Sequence, residues 1–137
     1  MKNRTLLREI IVKVLYQVYI LEKTNVKYDV DMLIKELMEV ENEFVKQMVH
    51  GVLSRQKVIT NKANKYLDNW TIDRLSKVDK AILSLGIYEL IYTDTPSIVC
   101  INETIELSKV YSDPEVSKMI NAVMDKIYKN EDLHGKE

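Results

Sequence analysis

The sequence predicts an all-α fold of about seven helices, and three observations lead there. Apolar residues recur at three- and four-residue intervals along most of the 137 positions, the spacing that lines one face of a helix. Three glycines and two prolines leave little material for the tight turns of an antiparallel sheet. Short polar residues stand where the periodic runs begin, placed to accept the backbone N–H groups that a first helical turn leaves unpaired.

The first helix is expected from about Arg4 to Glu22, with Leu7, Ile11, Val14, Leu15, Val18 and Leu21 as its core stripe. Asp29 and Asp31 can cap a short second helix whose Met32, Leu33, Leu37 and Met38 face inward. Asn42 opens a long third helix with Val45, Met48, Val49, Val52, Ile59, Ala63, Tyr66 and Leu67 on its apolar face. At about 100° per residue, Lys46, Arg55, Lys57, Lys62 and Lys65 fall on the opposite half of it. Thr71 to Leu75 reads as a single capped turn. Ser76 with Asp79 makes a capping box, with Asp for the usual Glu, launching the next helix through Val78, Ala81, Ile82, Leu85 and Tyr88. Gly86 inside that helix costs roughly 1 kcal/mol relative to Ala, so a close helix contact is expected there. Asp94-Thr95-Pro96 interrupts the chain before a sixth helix. Ser112-Asp113-Pro114-Glu115 then starts the last one, with a cap, a proline in the first turn and acidic residues at the positive helix end. The tail from Asn130 to Glu137 is expected to fray.

Composition narrows the class. Apolar residues at 46% and charged residues at 30% are ordinary for a soluble domain, and 137 residues suffice for one domain with a real core. No apolar run approaches the ~18 residues of a membrane span. The start, MKNRTLLREI, lacks a signal-peptide core. Cys100 is the lone cysteine, which fits a reducing cytoplasm. Net charge is −1, unevenly placed: residues 1–70 hold 12 Lys/Arg against 9 Asp/Glu, and residues 71–137 hold 8 against 12. That polarity suggests an anionic partner for the first half and a different one for the second; two solvated faces would look the same. Glycines at 51, 86 and 135 are too scattered to cradle a phosphate, and His50, His134 and Cys100 lack zinc spacing. Cys100 reads as a small core residue. The reading is no enzyme, with no catalytic or metal residues and no cofactor.

The stretch from Pro96 to Lys126 is the most specific. Its core is Ile101-Asn102-Glu103-Thr104-Ile105-Glu106-Leu107-Ser108-Lys109, followed by Lys118-Met119-Ile120-Asn121-Ala122-Val123-Met124-Asp125-Lys126. Asn is unfavourable inside a helix because it competes for backbone hydrogen bonds, so something beyond propensity accounts for the Asn-Glu pair. This arrangement resembles the C-terminal signature of the NusB family of bacterial transcription antitermination factors. Arg8-Glu9 with Leu15-Tyr16-Gln17, Phe44-Val45 leading to Gly51-Val52, Trp70 to Leu75, and Val78 to Leu83 with Tyr88-Glu89-Leu90 are similar to further family motifs. They occur in family order between about Arg4 and Lys129. The resemblance implies one all-helical domain of two packed sub-bundles, about residues 1–70 and 71–129. It also implies binding of boxA RNA jointly with NusE, a ribosomal small-subunit protein, and entry into an RNA polymerase complex with other Nus factors that supports ribosomal RNA synthesis. Some relatives form dimers that could hide the RNA face, and no sequence feature decides that here.

Single-stranded RNA is held by cations on phosphates and by flat groups stacked on bases. Arg4, Arg8 and Tyr16 share an i, i+4 row of the first helix, with Lys2 and Lys13 nearby, and the resemblance also places RNA contacts on this helix. Lys118 offers a further phosphate contact, and Met119 either packs on a base or belongs to the core. Arg4 and Arg8 as plain solvated residues and Tyr16 as a half-buried ring fit the same pattern. By resemblance the NusE-facing surface is Asp79, Ser84, Tyr88 and the neighbouring fifth and sixth helices. Asn102, Glu103 and Glu106 either tie the sixth helix to its neighbours, the favoured reading, or meet a partner. The chain departs from the family in its thin arginine content near Thr5, Leu6 and Leu7, in Met119 where a phenylalanine is usual, in Ala122 where a glycine is, and in Ser84 where an arginine is common. The thin arginine content keeps open a protein-binding adaptor that ignores RNA. An accessory domain of RNA modification is the other alternative, since NusB-like helical domains precede certain RNA methyltransferases. The methyl-donor loop and catalytic domain of those enzymes are absent here.

Overall fold

The computed structural model describes residues 3–133, which contain seven α-helices, one 3-10 turn and no strand. The helices are α1 (Arg4–Leu21), α2 (Val30–Leu37), α3 (Glu43–Ser54), α4 (Gln56–Tyr66), α5 (Lys77–Tyr92), α6 (Ser97–Tyr111) and α7 (Pro114–Asn130), with the 3-10 turn at Ile72–Arg74 between α4 and α5. Three side-chain caps sit where expected, with Asn42 accepting from Val45 N–H, Ser76 from Asp79 N–H and Asp29 from Met32 N–H, whereas Asp113 before α7 makes no side-chain cap bond. Asp31 lies inside α2 and does not cap it.

α5 is the axis of the molecule. Every residue from Ala81 to Leu90 is buried, as befits a helix that lacks a continuous polar face. α1, α3, α4, α6 and α7 all pack on it. At Gly86 α6 packs tightly: a Cβ there would lie 2.5 Å from Thr104 Oγ1. At Gly51 a Cβ would run into the Tyr88 ring, so α3 also approaches α5 through a missing side chain.

Three expectations are corrected. The long third helix is two helices. Arg55, at φ −115° and ψ 16°, breaks it, its N–H shared between the carbonyls of Gly51 and Val52 at 3.2 Å each. Ser54 Oγ also donates to the Gly51 carbonyl, at 3.1 Å, so a Gly-Ser pair unwinds the last turn of α3. α3 then packs on α1 and α5, and α4 on α5 and α7. In α2 the buried residue is Ile34, while Met32 and Leu37 face outward; the short helix docks by one narrow edge. The tail is fixed at least to Glu131, whose carboxylate accepts from Lys62 (2.6 Å), Lys65 (3.3 Å) and the Tyr66 hydroxyl (2.5 Å).

Candidate nucleic-acid interface

α1 and α5 run antiparallel, and α6 lies beside α1. Thr5 Oγ1 and Arg8 Nη1 both donate to Glu103 Oε1, at 3.0 and 3.3 Å. Glu103 therefore ties α6 to α1, as favoured, whereas Asn102 and Glu106 are exposed. At the end of α6, Tyr111 Oη donates to Glu9 Oε1 at 2.8 Å, which holds its phenol pKa above the ordinary value. The Ser108–Ser117 hydroxyl pair, 2.6 Å apart, then fastens the first turn of α7 to α6. Through these contacts three helices share one margin of the molecule.

Glu9, Lys13, Tyr16 and Ile20, spaced four, three and four apart, form the outer stripe of α1 along that margin. Tyr16 is 40% exposed and Lys13 is exposed. Tyr111 is half exposed, Val110 beside it 70%, and Lys118 is exposed one turn into α7. Lys109 pairs with Glu106 at 3.3 Å, while Lys13 and Lys118 have no ion pair among the described residues. The surface thus offers two free ammonium groups and two tyrosine faces, with the Glu9 carboxylate between them engaged by a hydroxyl.

The expected site residues divide sharply. Tyr16 and Lys118 lie on this margin. Arg4 is exposed, but its guanidinium lies over the Phe44 ring, 4.3 Å from the centroid. Met119 is half buried against the core. Lys2 lies outside the described residues. Arg8 is 3% exposed, and its Nε and Nη2 grip the two oxygens of Glu89 at 2.9 and 2.5 Å. Burial opposes its charge, but the hydrogen bond and charge of Glu89, with Glu103 beyond, raise its pKa. Arg8 cannot hold a phosphate while it closes the α1–α5 interface, and that assignment is withdrawn. The i, i+4 row misleads because it turns by about 40° at each step, so Arg4 and Tyr16 stand about 120° apart around the helix.

The proposed NusE-facing trio is corrected too. Asp79, Ser84 and Tyr88 are all buried, because α5 is covered on every side. The Asp79 carboxylate takes the Ser112 hydroxyl. Ser84 accepts from Gln56 Nε2 at 3.1 Å, and Gln56 in turn accepts from Tyr19 at 2.5 Å. Tyr88 stacks with Tyr92, ring centroids 5.4 Å apart. Tyr111 was the residue the sequence left unmarked; its one signal is its place at a helix end just before Ser112-Asp113-Pro114. Cys100 is fully buried with its thiol toward the Thr95 carbonyl, as expected of a core residue. His50 sits 2.7 Å from Asp31 and lowers that carboxyl's pKa. Among the described residues no three His, Cys, Asp or Glu side chains gather to hold a metal, and no helix is long and apolar enough to cross a membrane.

Fold and surface together define an all-helical protein presenting a mixed cationic and aromatic margin. The NusB family model matches residues 5–129, and the chain belongs to the NusB family. It is 37% identical over 130 residues to the transcription antitermination protein NusB of Macrococcus caseolyticus, covering 93% of this chain and 98% of the relative. Its fold is similar to T. maritima NusB, with a TM-score of 0.81 and 28% identity over 94% of this chain and 92% of that one. It is also similar to a chain in a crystal structure of the antitermination factors NusB and NusE in complex with double-stranded RNA. There the TM-score is 0.77, with 27% identity over 92% of this chain and 96% of that one.

Proposed function

We propose that this protein is a transcription antitermination factor. It binds boxA RNA together with NusE, joins the RNA polymerase complex with other Nus factors and supports ribosomal RNA transcription. The observation that carries this reading is family membership along nearly the whole described chain, and the α1–α6–α7 margin supplies the chemistry. Lys13 and Lys118 hold phosphates, Tyr16 and Tyr111 offer faces for bases, and Arg4 adds a cation at the far end of α1. Met119, next to Lys118 in the sequence, packs against the core, and Lys2 is a further cation for the phosphates by family resemblance. The role is one of binding and assembly, without catalysis, in the compartment where transcripts are made. The NusE-facing surface moves outward from α5 to α6, where Ile98, Val99 and Val110 are exposed beside Asn102 and Glu106. We read the domain as two sub-bundles, α1–α4 and α5–α7, joined by the packing of α1, α3 and α4 on α5.

The burial of Arg8 removes one cation and so favours, as the second reading, an adaptor that binds protein alone. A fluorescence titration of a boxA oligonucleotide, with and without NusE, separates the two. Under the RNA reading, Tyr16→Ala weakens binding by about 1–3 kcal/mol, the loss of one stacked base, and Lys118→Ala makes the salt dependence shallower. If both variants titrate like the wild type while NusE still binds, the adaptor reading stands.

A further inference from the structure

We infer that the RNA strand continues from this margin over the pole where α1 ends and α5 begins, with Lys23, Arg74 and Lys77 on its phosphates and Trp70 under a base. The inference rests on the RNA reading above and adds a second stretch of contacts to it.

Lys23 follows α1 by two residues and prolongs the line of Lys13, Tyr16 and Ile20. The antiparallel course of α5 brings its first residue, Lys77, to the same place. One turn further, Lys80 is used internally: its ammonium lies 4.5 Å from the Tyr19 ring centroid and 3.0 Å from Asp73 Oδ1. Asp73 is thereby occupied, and among the described residues Lys23, Arg74 and Lys77 have no ion pair. Burial, then the Lys23 charge, hold the Lys77 pKa below the ordinary lysine value. An anion bridging the two ammonium groups would relieve that repulsion. The Arg74 guanidinium stacks 4.3 Å from the ring centroid of Trp70, a residue 38% exposed, leaving aromatic surface beside a cation. Base–aromatic stacking next to a cation is how sequence-tolerant single-strand contacts are made. The two stretches adjoin, because Ser112, next to Tyr111, donates its hydroxyl to Asp79 in the first turn of α5.

The test is a titration of fluorescein-labelled single-stranded RNA carrying boxA and flanking nucleotides, with the full chain and NusE, over a series of salt concentrations. The Lys23→Gln/Lys77→Gln double variant is expected to bind more weakly whatever the flanking sequence. Its log–log salt slope should be shallower by roughly 1.4, two phosphates at about 0.7 each. Lys23→Gln alone, at an exposed site with no ion pair to lose among the described residues, should show half that change and guards against a folding defect in the double variant. Trp70 is the chain's one tryptophan, and RNA should quench its emission. An unchanged slope in both variants, with Tyr16→Ala still weakening binding, overturns the inference and leaves the RNA reading intact. If the wild-type chain with NusE does not bind this RNA, the RNA reading fails and the inference with it.

Discussion

Arg8 brings a full charge to a place where water cannot reach it, and the geometry around it says what that charge is for. Its fork meets both oxygens of Glu89 across the α1–α5 interface, with Glu103 on the third nitrogen. A buried pair of this kind adds little net stability over a well-packed apolar pair, but breaking it strands the remaining charge. Arg8→Met is therefore expected to lower unfolding free energy by about 3 kcal/mol, read by urea denaturation. At a denaturant-free temperature where the variant stays folded, its RNA salt slope should match the wild type. A slope change would return Arg8 to the phosphate contacts from which its burial removes it. The two packing glycines act at the same scale. Gly51→Ala pushes a methyl group into the Tyr88 ring, an overpacking that typically costs about 1–3 kcal/mol.

At the scale of elements, Glu131 ties the far end of α7 to α4, beside the Lys126 contacts with Tyr66 and Asp68. Glu131 receives Lys62, Tyr66 and Lys65, and the first two of these hydrogen bonds chiefly bring its pKa down from 4.5 to about 2. A carboxylate with a depressed pKa stabilises the fold fully above its ordinary value. That contribution fades as the pH falls from about 4.5 toward 2. Glu131→Gln should cost about 1 kcal/mol at pH 7, in the range of partly exposed ion pairs. Thermal melts across pH 7 to 3 should then show the wild type and variant converging at the acid end; parallel curves would mean the cluster does not anchor α7. This anchor was not legible in the sequence, because Glu131 stands in a polar tail about 65 residues from its partners. The starts of α1, α5, α6 and α7 were legible: the apolar stripe from Arg4, the Ser76 cap and the two prolines, Pro96 and Pro114, fall where these helices begin. The break at Arg55 was hidden for a different reason. Val52 and Ile59 are seven residues apart, close to two full turns, so the apolar phase runs through the interruption as if the helix were continuous. Gly51 and Ser54 were the local clue.

At the scale of the whole molecule, the candidate surface is a property of how α1, α6 and α7 meet, which one sequence without contacts specifies poorly. The sequence placed its RNA candidates on α1 and α7, and of these Tyr16 and Lys118 are exposed on this margin. It could not separate an arginine facing solvent from one paired with a glutamate 81 positions away. Nor could it show that α5, rich in family motif, is wholly enclosed. Once assembled, the margin has a net field set by few charges, and Glu9, like Asp113 and Glu115 at the start of α7, opposes a phosphate strand. Replacing Glu9 by Gln keeps a carbonyl oxygen for the Tyr111 hydroxyl and removes the negative charge. Because the surroundings are exposed, stability should change by no more than about 0.5 kcal/mol. RNA binding with NusE should tighten several-fold at low salt, since a like charge lies within about one Debye length of the bound strand. The gain should vanish as ionic strength rises and screens it. An RNA affinity indifferent to Glu9→Gln at low salt would place the strand elsewhere on the molecule, and with it the whole α1–α6–α7 assignment.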